Sequence, residues 1–388
     1  MGGLRAAESL RRFGYAGPIT AIGAEAYPPY NRPPLSKEVL AAEVSLEAVA
    51  FPQRPATADV NWKLGTRVVA SDLRLGTVTT DTGETIAYSK LIIATGLRPK
   101  RQEYPNNLSE GRHVIRGLDD ALALRAALKP GAKVVILGTG FIGCETAATA
   151  RKLGAEVTLV GQGRLPIERP LGAEFAAEVK RRQEAEGVKF VMGRRVVDLV
   201  GESRVEAVVL DDGTRLECDV FIESIGSLPN IEFLHGQDVD LSDGIVVDEH
   251  LNARKSSDGV WPDVYVVGDV ASFPNPVFDE VPRRVEHWNI PTECAKYAGA
   301  RIAAELGGTE VSGAPFAPIP SFWSDQFEMH ILAFGLLALA DESRLIDGQL
   351  DGDFVFGYYR SGRMVGVAGI GMRSVVQGYR KEFEYSAS

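Results

Sequence analysis

The sequence predicts an α/β fold of doubly wound units, with a small α+β domain at its C-terminal end. Three observations carry this. Between Lys133 and Val160 an apolar strand, a glycine turn, a helix and a second apolar strand follow in order, which is a parallel βαβ unit. The chain opens on a helical stripe and passes through Pro18 to a short apolar strand, Ile19 to Ile22, like the later part of another such unit. After about Gly313 the texture changes to short aromatic strands punctuated by Gly335, Gly357, Gly362 and Gly366.

The opening stripe is Leu4, Ala6, Ala7, Leu10 and Phe13, with Gly14 as the stop. A doubly wound sheet begins with a strand ahead of such a helix. The expectation is therefore that the first strand of this unit is missing, with Gly2-Gly3 the tail of its glycine turn. Tyr27 to Lys37 carries Pro28, Pro29, Pro33 and Pro34, too many for a helix or a central strand. Short strands and turns lead to an apolar strand, Leu91 to Ala94, which ends in Thr95-Gly96. Asp119-Asp120 open a helix that closes near Pro130-Gly131, and Asp211-Asp212-Gly213 marks a hairpin. A last apolar strand, Val264 to Val267, ends in Gly268-Asp269.

A chain of 388 residues makes two or three domains. The net charge of −10 excludes a phosphate-neutralising nucleic-acid binder. Cys144, Cys218 and Cys294 are odd in number and far apart, so they build neither a disulfide framework nor a metal spacing; a reducing, cytoplasmic location is expected. The longest apolar run, Ile331 to Ala340, is too short to cross a bilayer, and no signal peptide is expected.

The strongest motif is Gly138-Thr139-Gly140-Phe141-Ile142-Gly143. Its glycines permit a tight turn, close approach of a pyrophosphate, and close helix–strand packing, and the helix behind it presents free N–H groups. It follows a strand and opens a helix, the context a dinucleotide site needs; another adenine-bearing ligand also satisfies it. At the end of the second strand, where a carboxylate selects the ribose of NAD, stands Gly161-Gln162-Gly163-Arg164. Arg164 or Arg169 either meets a 2′-phosphate or is simply solvated, which leaves NADH and NADPH both open.

Several segments, in order, resemble the FAD-dependent ferredoxin reductases of oxygenase systems, within the glutathione-reductase-like superfamily. They are Tyr30-Asn31-Arg32-Pro33-Pro34-Leu35-Ser36-Lys37, Ala94-Thr95-Gly96-Leu97-Arg98-Pro99, the turn at Gly138, Gly226 with Pro229-Asn230, Gly268-Asp269, Glu286-His287-Trp288, and Phe322-Trp323-Ser324-Asp325-Gln326. The resemblance implies an FAD domain from residues 1–110 and 234–313, an NAD(P) domain at 111–233, and a C-terminal interface domain at 314–388. For FAD it implies Gly2, Gly3, Glu25, Arg32, Lys37, the Ala94-Thr95-Gly96 turn, Asp269, Glu286, His287 and Trp288. For NAD(P)H it implies Gly138, Gly140, Phe141, Ile142, Gly143, Glu145, Arg164 and Gly226.

The resemblance also implies roles. Asp269 accepts hydrogen bonds from ribityl hydroxyls, although an Asp there also suits a helix cap. Lys37 pairs with Glu145 beside the flavin, and a cation such as Lys37 or Arg32 favours hydride uptake. Glu286 and Trp288 line the nicotinamide pocket and the flavin edge. Trp323 flanks the flavin where electrons leave. Cys144, at a helix start that can lower a thiol pKa, sits on the nucleotide side, the wrong place for a redox disulfide.

With no thiol to receive an electron pair, the implied acceptor is a one-electron carrier, a [2Fe–2S] ferredoxin serving an oxygenase. An NAD(P)H oxidase or diaphorase and a non-catalytic redox-sensing flavoprotein are the rivals, and the protein is expected as a monomer or homodimer. Its acidic balance is to be offset for the ferredoxin by Arg98, Lys100 and Arg101, or by Arg373, Arg380 and Lys381. Because the first strand and turn depart from the pattern, the chain as given is expected to bind FAD weakly until an upstream extension is supplied.

Overall fold

The computed structural model describes residues 1–106 and 108–383. Residues 107 and 384–388, which fall within the expected first and last domains, lie outside the described residues.

The βαβ unit forms as expected. Strand Lys133–Leu137, helix Phe141–Lys152 and strand Glu156–Gly161 belong to a five-stranded parallel sheet completed by Lys189–Met192, Val220–Glu223 and Arg112–His113. Leu137 and the valines and isoleucine before it are buried on both faces, as a covered parallel sheet requires. The hairpin at Asp211-Asp212-Gly213 joins Ala207–Leu210 to Arg215–Glu217.

A second set of short sheets surrounds the N-terminal helix, Gly2–Arg12. Strand Leu91–Ile93 pairs in parallel with Val260–Val266, and Thr20–Gly23 pairs in parallel with Asn61–Leu64. Among the described residues no strand joins these two pieces, and the edges at Thr20–Gly23 and Leu91–Ile93 face one cavity. The helix Gly2–Arg12 packs on Ile290–Gly307, where a Cβ on Gly299 would stand 2.6 Å from Ser9. Leu4, Ala6, Ala7 and Leu10 are buried as their stripe requires. Phe13 is not. It lies one residue beyond the helix end and is 50% exposed, because the periodicity no longer holds there. The proline-rich segment also departs from expectation: Pro33–Ser36 is one 3-10 turn, since proline is tolerated in the first turn, where its missing N–H has no partner to lose.

Residues 321–370 form a five-stranded antiparallel sheet, in which Met329–Gly335 lies between Ser321–Gln326 and Arg363–Ile370. The apolar run Ile331 to Ala340 is thus the middle of a sheet followed by a short turn. One face of this sheet packs against the helix Ala173–Ala185 and the start of Phe141–Lys152, through Phe354, Phe356, Phe175, Val179 and Cys144. Among the described residues no helix is long and apolar enough to cross a membrane.

Candidate active site

The three glycines of the fingerprint divide the labour that their spacing implies. A Cβ on Gly138 would fall 2.1 Å from the Ser224 carbonyl oxygen, and its φ is +111°, so only glycine makes this turn. A Cβ on Gly143 would fall 2.2 Å from the Gly138 carbonyl oxygen, so the helix packs against the turn. Around Gly140 nothing lies within 4 Å, and this is the open face at the helix N-terminus. Phe141 stacks obliquely on Phe322, with ring centroids 4.9 Å apart, and Ile142 is exposed. Gly226, with φ +96°, also has open space beside it.

Two residues beyond Gly143 in that helix lies Glu145, almost wholly buried. Its Oε2 accepts from Lys37 Nζ at 2.7 Å and Ser36 Oγ at 2.8 Å, and its Oε1 accepts from Ser324 Oγ at 2.7 Å. The pairing of Lys37 with Glu145 is where the resemblance put it. The two serines are additions: both sit in segments that carry the resemblance, next to residues assigned roles, but hydroxyls give no spacing signal of their own. The network continues inward, Gln326 Nε2 donating to Ser324 Oγ at 3.0 Å and Gln183 Nε2 to Gln326 Oε1 at 2.6 Å.

Lys37 and Glu145 border a cavity of about 2200 Å³ that runs from Gly2, Ala94 and Asp269 to Gly140, Ile142 and Trp323. Pockets for single small ligands are roughly 300–1,000 Å³, so this one suits extended molecules. Gly2 and Gly3 are the first turn of the N-terminal helix, and a Cβ on Gly2 would crowd Val267 and Ala94. Gly96 has φ +62°, and Thr95 is tied to Asn230 by hydrogen bonds of 2.7 and 2.9 Å. Asp269 stands at the cavity wall; its nearest cation, Arg116, is 3.7 Å away. Burial pushes its carboxyl up, and Arg116 opposes that shift.

Glu25 and Arg32 form an ion pair with each other. Burial raises the Glu25 carboxyl, but Arg32 and the Tyr30 hydroxyl outweigh it and hold it below the usual carboxylate range. Arg32 also donates to the Arg116 carbonyl at 2.7 Å. Arg32 and Lys37 are thus each paired with a carboxylate, Arg32 with Glu25 and Lys37 with Glu145. Glu286 accepts from Arg284 at 2.8 Å and from Ser227 at 3.0 Å. His287 packs on Phe322, its Nδ1 buried without a partner and its pKa lowered to about 4 by burial. Trp288 meets Trp323 edge-on, with ring centroids 5.9 Å apart. Arg116 carried no sequence signal, because only folding brings it to Asp269.

These residues fit the two ligands of the expectation. A carboxylate on the cavity wall suits ribityl hydroxyls, and the open Gly140 at a helix N-terminus suits a pyrophosphate. All three cysteines are buried and free, and burial pushes Cys144 up to about 12, the opposite of activation by its helix start.

The pyridine nucleotide-disulphide oxidoreductase family model matches residues 1–291, three quarters of the chain, and the reductase C-terminal model matches 321–388. The chain belongs to the pyridine nucleotide-disulphide oxidoreductase family. It is 33% identical over 372 residues, 95% of this chain and 88% of the relative, to the anthranilate 1,2-dioxygenase system ferredoxin–NAD(+) reductase component of Burkholderia cepacia. It is 32% identical to a rubredoxin–NAD(+) reductase of Pseudomonas putida, over 89% of this chain and 86% of the relative. The ferredoxin reductase for the CYP199A2 system of Rhodopseudomonas palustris superposes with a TM-score of 0.89 at 30% identity, covering 98% of this chain and 91% of that one. The covalent putidaredoxin reductase–putidaredoxin complex superposes with a TM-score of 0.89 at 29% identity, covering 98% and 90%. The chain is an oxidoreductase, and as a member of this family it binds FAD and NAD(P)H.

Proposed function

We propose that this chain moves electrons from NAD(P)H through FAD to a [2Fe–2S] ferredoxin that serves an oxygenase, in the cytoplasm, as a monomer or homodimer. The observation that carries the reading is the Lys37–Glu145 pair, 2.7 Å apart, on a cavity that joins the Asp269 wall to the Gly140 turn. Bound FAD supplies what no side chain here offers, acceptance of a hydride and release of its electrons singly.

The chain's own residues bind, orient and shield. Asp269 accepts hydrogen bonds from hydroxyls, Gly2, Gly3, Ala94 and Gly96 keep the wall close, and Glu25 with Arg32 braces its far end. Gly138, Gly140 and Gly143 shape the nucleotide's pyrophosphate seat, with Phe141, Ile142 and Gly226 around it. Glu145, held by three donors, fixes the Lys37 ammonium, which supplies positive charge without having to move. Glu286, His287 and Trp288 close the cavity opposite. The same reading divides the chain into residues 1–110 with 234–313, then 111–233, then 314–388. Trp323, 39% exposed and touching Trp288, is proposed as the side facing the acceptor.

Two cation clusters are candidates for contact with an acidic ferredoxin. In one, Arg98 already pairs with Glu232 and Arg101 lies 3.8 Å from Glu223. In the other, Arg373, Arg380 and Lys381 are all exposed.

The test is an anaerobic titration of the FAD-loaded protein with NADH and, separately, NADPH, followed by turnover with and without ferredoxin. Bleaching of the flavin band, with turnover that depends on ferredoxin and falls as salt rises, is the expected result. Equal turnover with oxygen or quinones alone defeats the reading in favour of an oxidase or diaphorase. Trp323→Ala is expected to keep flavin reduction and to lose ferredoxin reduction; full ferredoxin reduction with normal flavin content removes Trp323 from the path.

A further inference from the structure

The end of the strand Glu156–Gly161 holds no acid, and Thr139 crowds the place where one would stand. In a dinucleotide-binding βαβ unit this is where a carboxylate takes the ribose 2′-hydroxyl and repels a 2′-phosphate. A Cβ on Gly161 would stand 2.7 Å from both Cγ2 and Oγ1 of Thr139. Thr139, between the first two glycines of the turn, therefore crowds any side chain at 161.

The loop that follows is fixed in place. Gly163 O accepts from Gly193 N at 3.0 Å, Gly161 O accepts from Arg194 N at 3.1 Å, and Ile167 N donates to Thr139 O at 2.9 Å. These bonds hold Arg164 on the loop between the strand end and the glycine turn and bring Arg194 and Arg195 to the same corner. The side chain of Arg164 is 85% exposed, and its guanidinium is held by Glu168 at 2.7 Å. Arg194 is held by Asp212 at 2.8 Å, and Arg195 by Asp211 at 3.5 Å. Three guanidiniums thus face three carboxylates around the corner, but no carboxylate stands at the strand end itself. A guanidinium has five donors, so Arg164 keeps several free after its contact with Glu168.

We propose that this site takes a 2′-phosphorylated adenosine ribose, NADPH in preference to NADH, with Arg164 as the cation that meets the phosphate. The inference rests on reading the Gly138–Gly143 turn as the dinucleotide seat.

It is tested without flavin or turnover. The purified chain is titrated by calorimetry with ADP-ribose and with 2′-phospho-ADP-ribose. The phosphorylated compound is expected to bind roughly tenfold tighter, the worth of one charge-assisted hydrogen bond. In Arg164→Ala the two affinities are expected to converge. In the double variant Thr139→Ala with Gly161→Glu, where space and an acid are supplied together, the order is expected to reverse. Equal or tighter binding of ADP-ribose by the native chain overturns this inference and leaves the dinucleotide seat standing. Binding of neither compound overturns both.

Discussion

At the scale of single residues, Glu145 is a carboxylate buried at the site. A buried carboxylate is tolerable only while its oxygens are donated to, and here Lys37, Ser36 and Ser324 share that task. Ser324→Ala removes one donor to a charged acceptor and is expected to cost about 1.5–3 kcal/mol in a denaturant titration. Lys37→Met removes the charge itself, and reduction of bound FAD by NAD(P)H is expected to slow by about a hundredfold, in line with the loss of one preorganised donor; an unchanged rate places the cation elsewhere. His287 supplies a pH handle. Its folded pKa, about 4, lies below the ordinary 6.5. The stability it contributes is therefore present above pH 6.5 and lost as pH falls toward 4. Melting temperatures across that window should fall less steeply in His287→Phe than in the native chain.

At the scale of elements, the glycine turn separates folding from binding. Gly138→Ala and Gly143→Ala push a methyl into a carbonyl oxygen at 2.1 and 2.2 Å, so the backbone must move and melting temperature should drop sharply. Gly140→Ala meets nothing in the protein, so melting should barely change while nucleotide affinity falls, because the methyl occupies the ligand's side. Equal loss of stability in all three would contradict this division. The unit was legible in the sequence because its period, its turn and its packing constraint are all local. The 3-10 turn at Pro33–Ser36 was not, because a run of prolines excludes long elements without excluding a single turn. Phe13 shows the same limit at a helix end, where a stripe says which face is buried and not where the helix stops.

At the scale of the whole molecule, the site is a meeting point of distant segments. Ser36 lies 109 residues from Glu145 along the chain, and Ser324 lies 179 residues from it. The pairing of Lys37 with Glu145 was readable only through resemblance, since nothing local ties a proline-rich loop to a helix start. The serines, Arg116 and the approach of Trp288 to Trp323 were not readable at all, because they follow from how the sheets dock. The same separations bear on the order of events during folding. Contacts of long sequence separation carry the largest loop-closure cost and form late. A chain emerging from the ribosome can complete its glycine turn well before Ser324 has been made, but it cannot complete the ring of donors around Glu145. We therefore expect refolding monitored by backbone circular dichroism to run ahead of the recovery of NAD(P)H oxidation. Simultaneous recovery of both signals would contradict that order, because the ring around Glu145 closes only when residues 36, 145 and 324 have met.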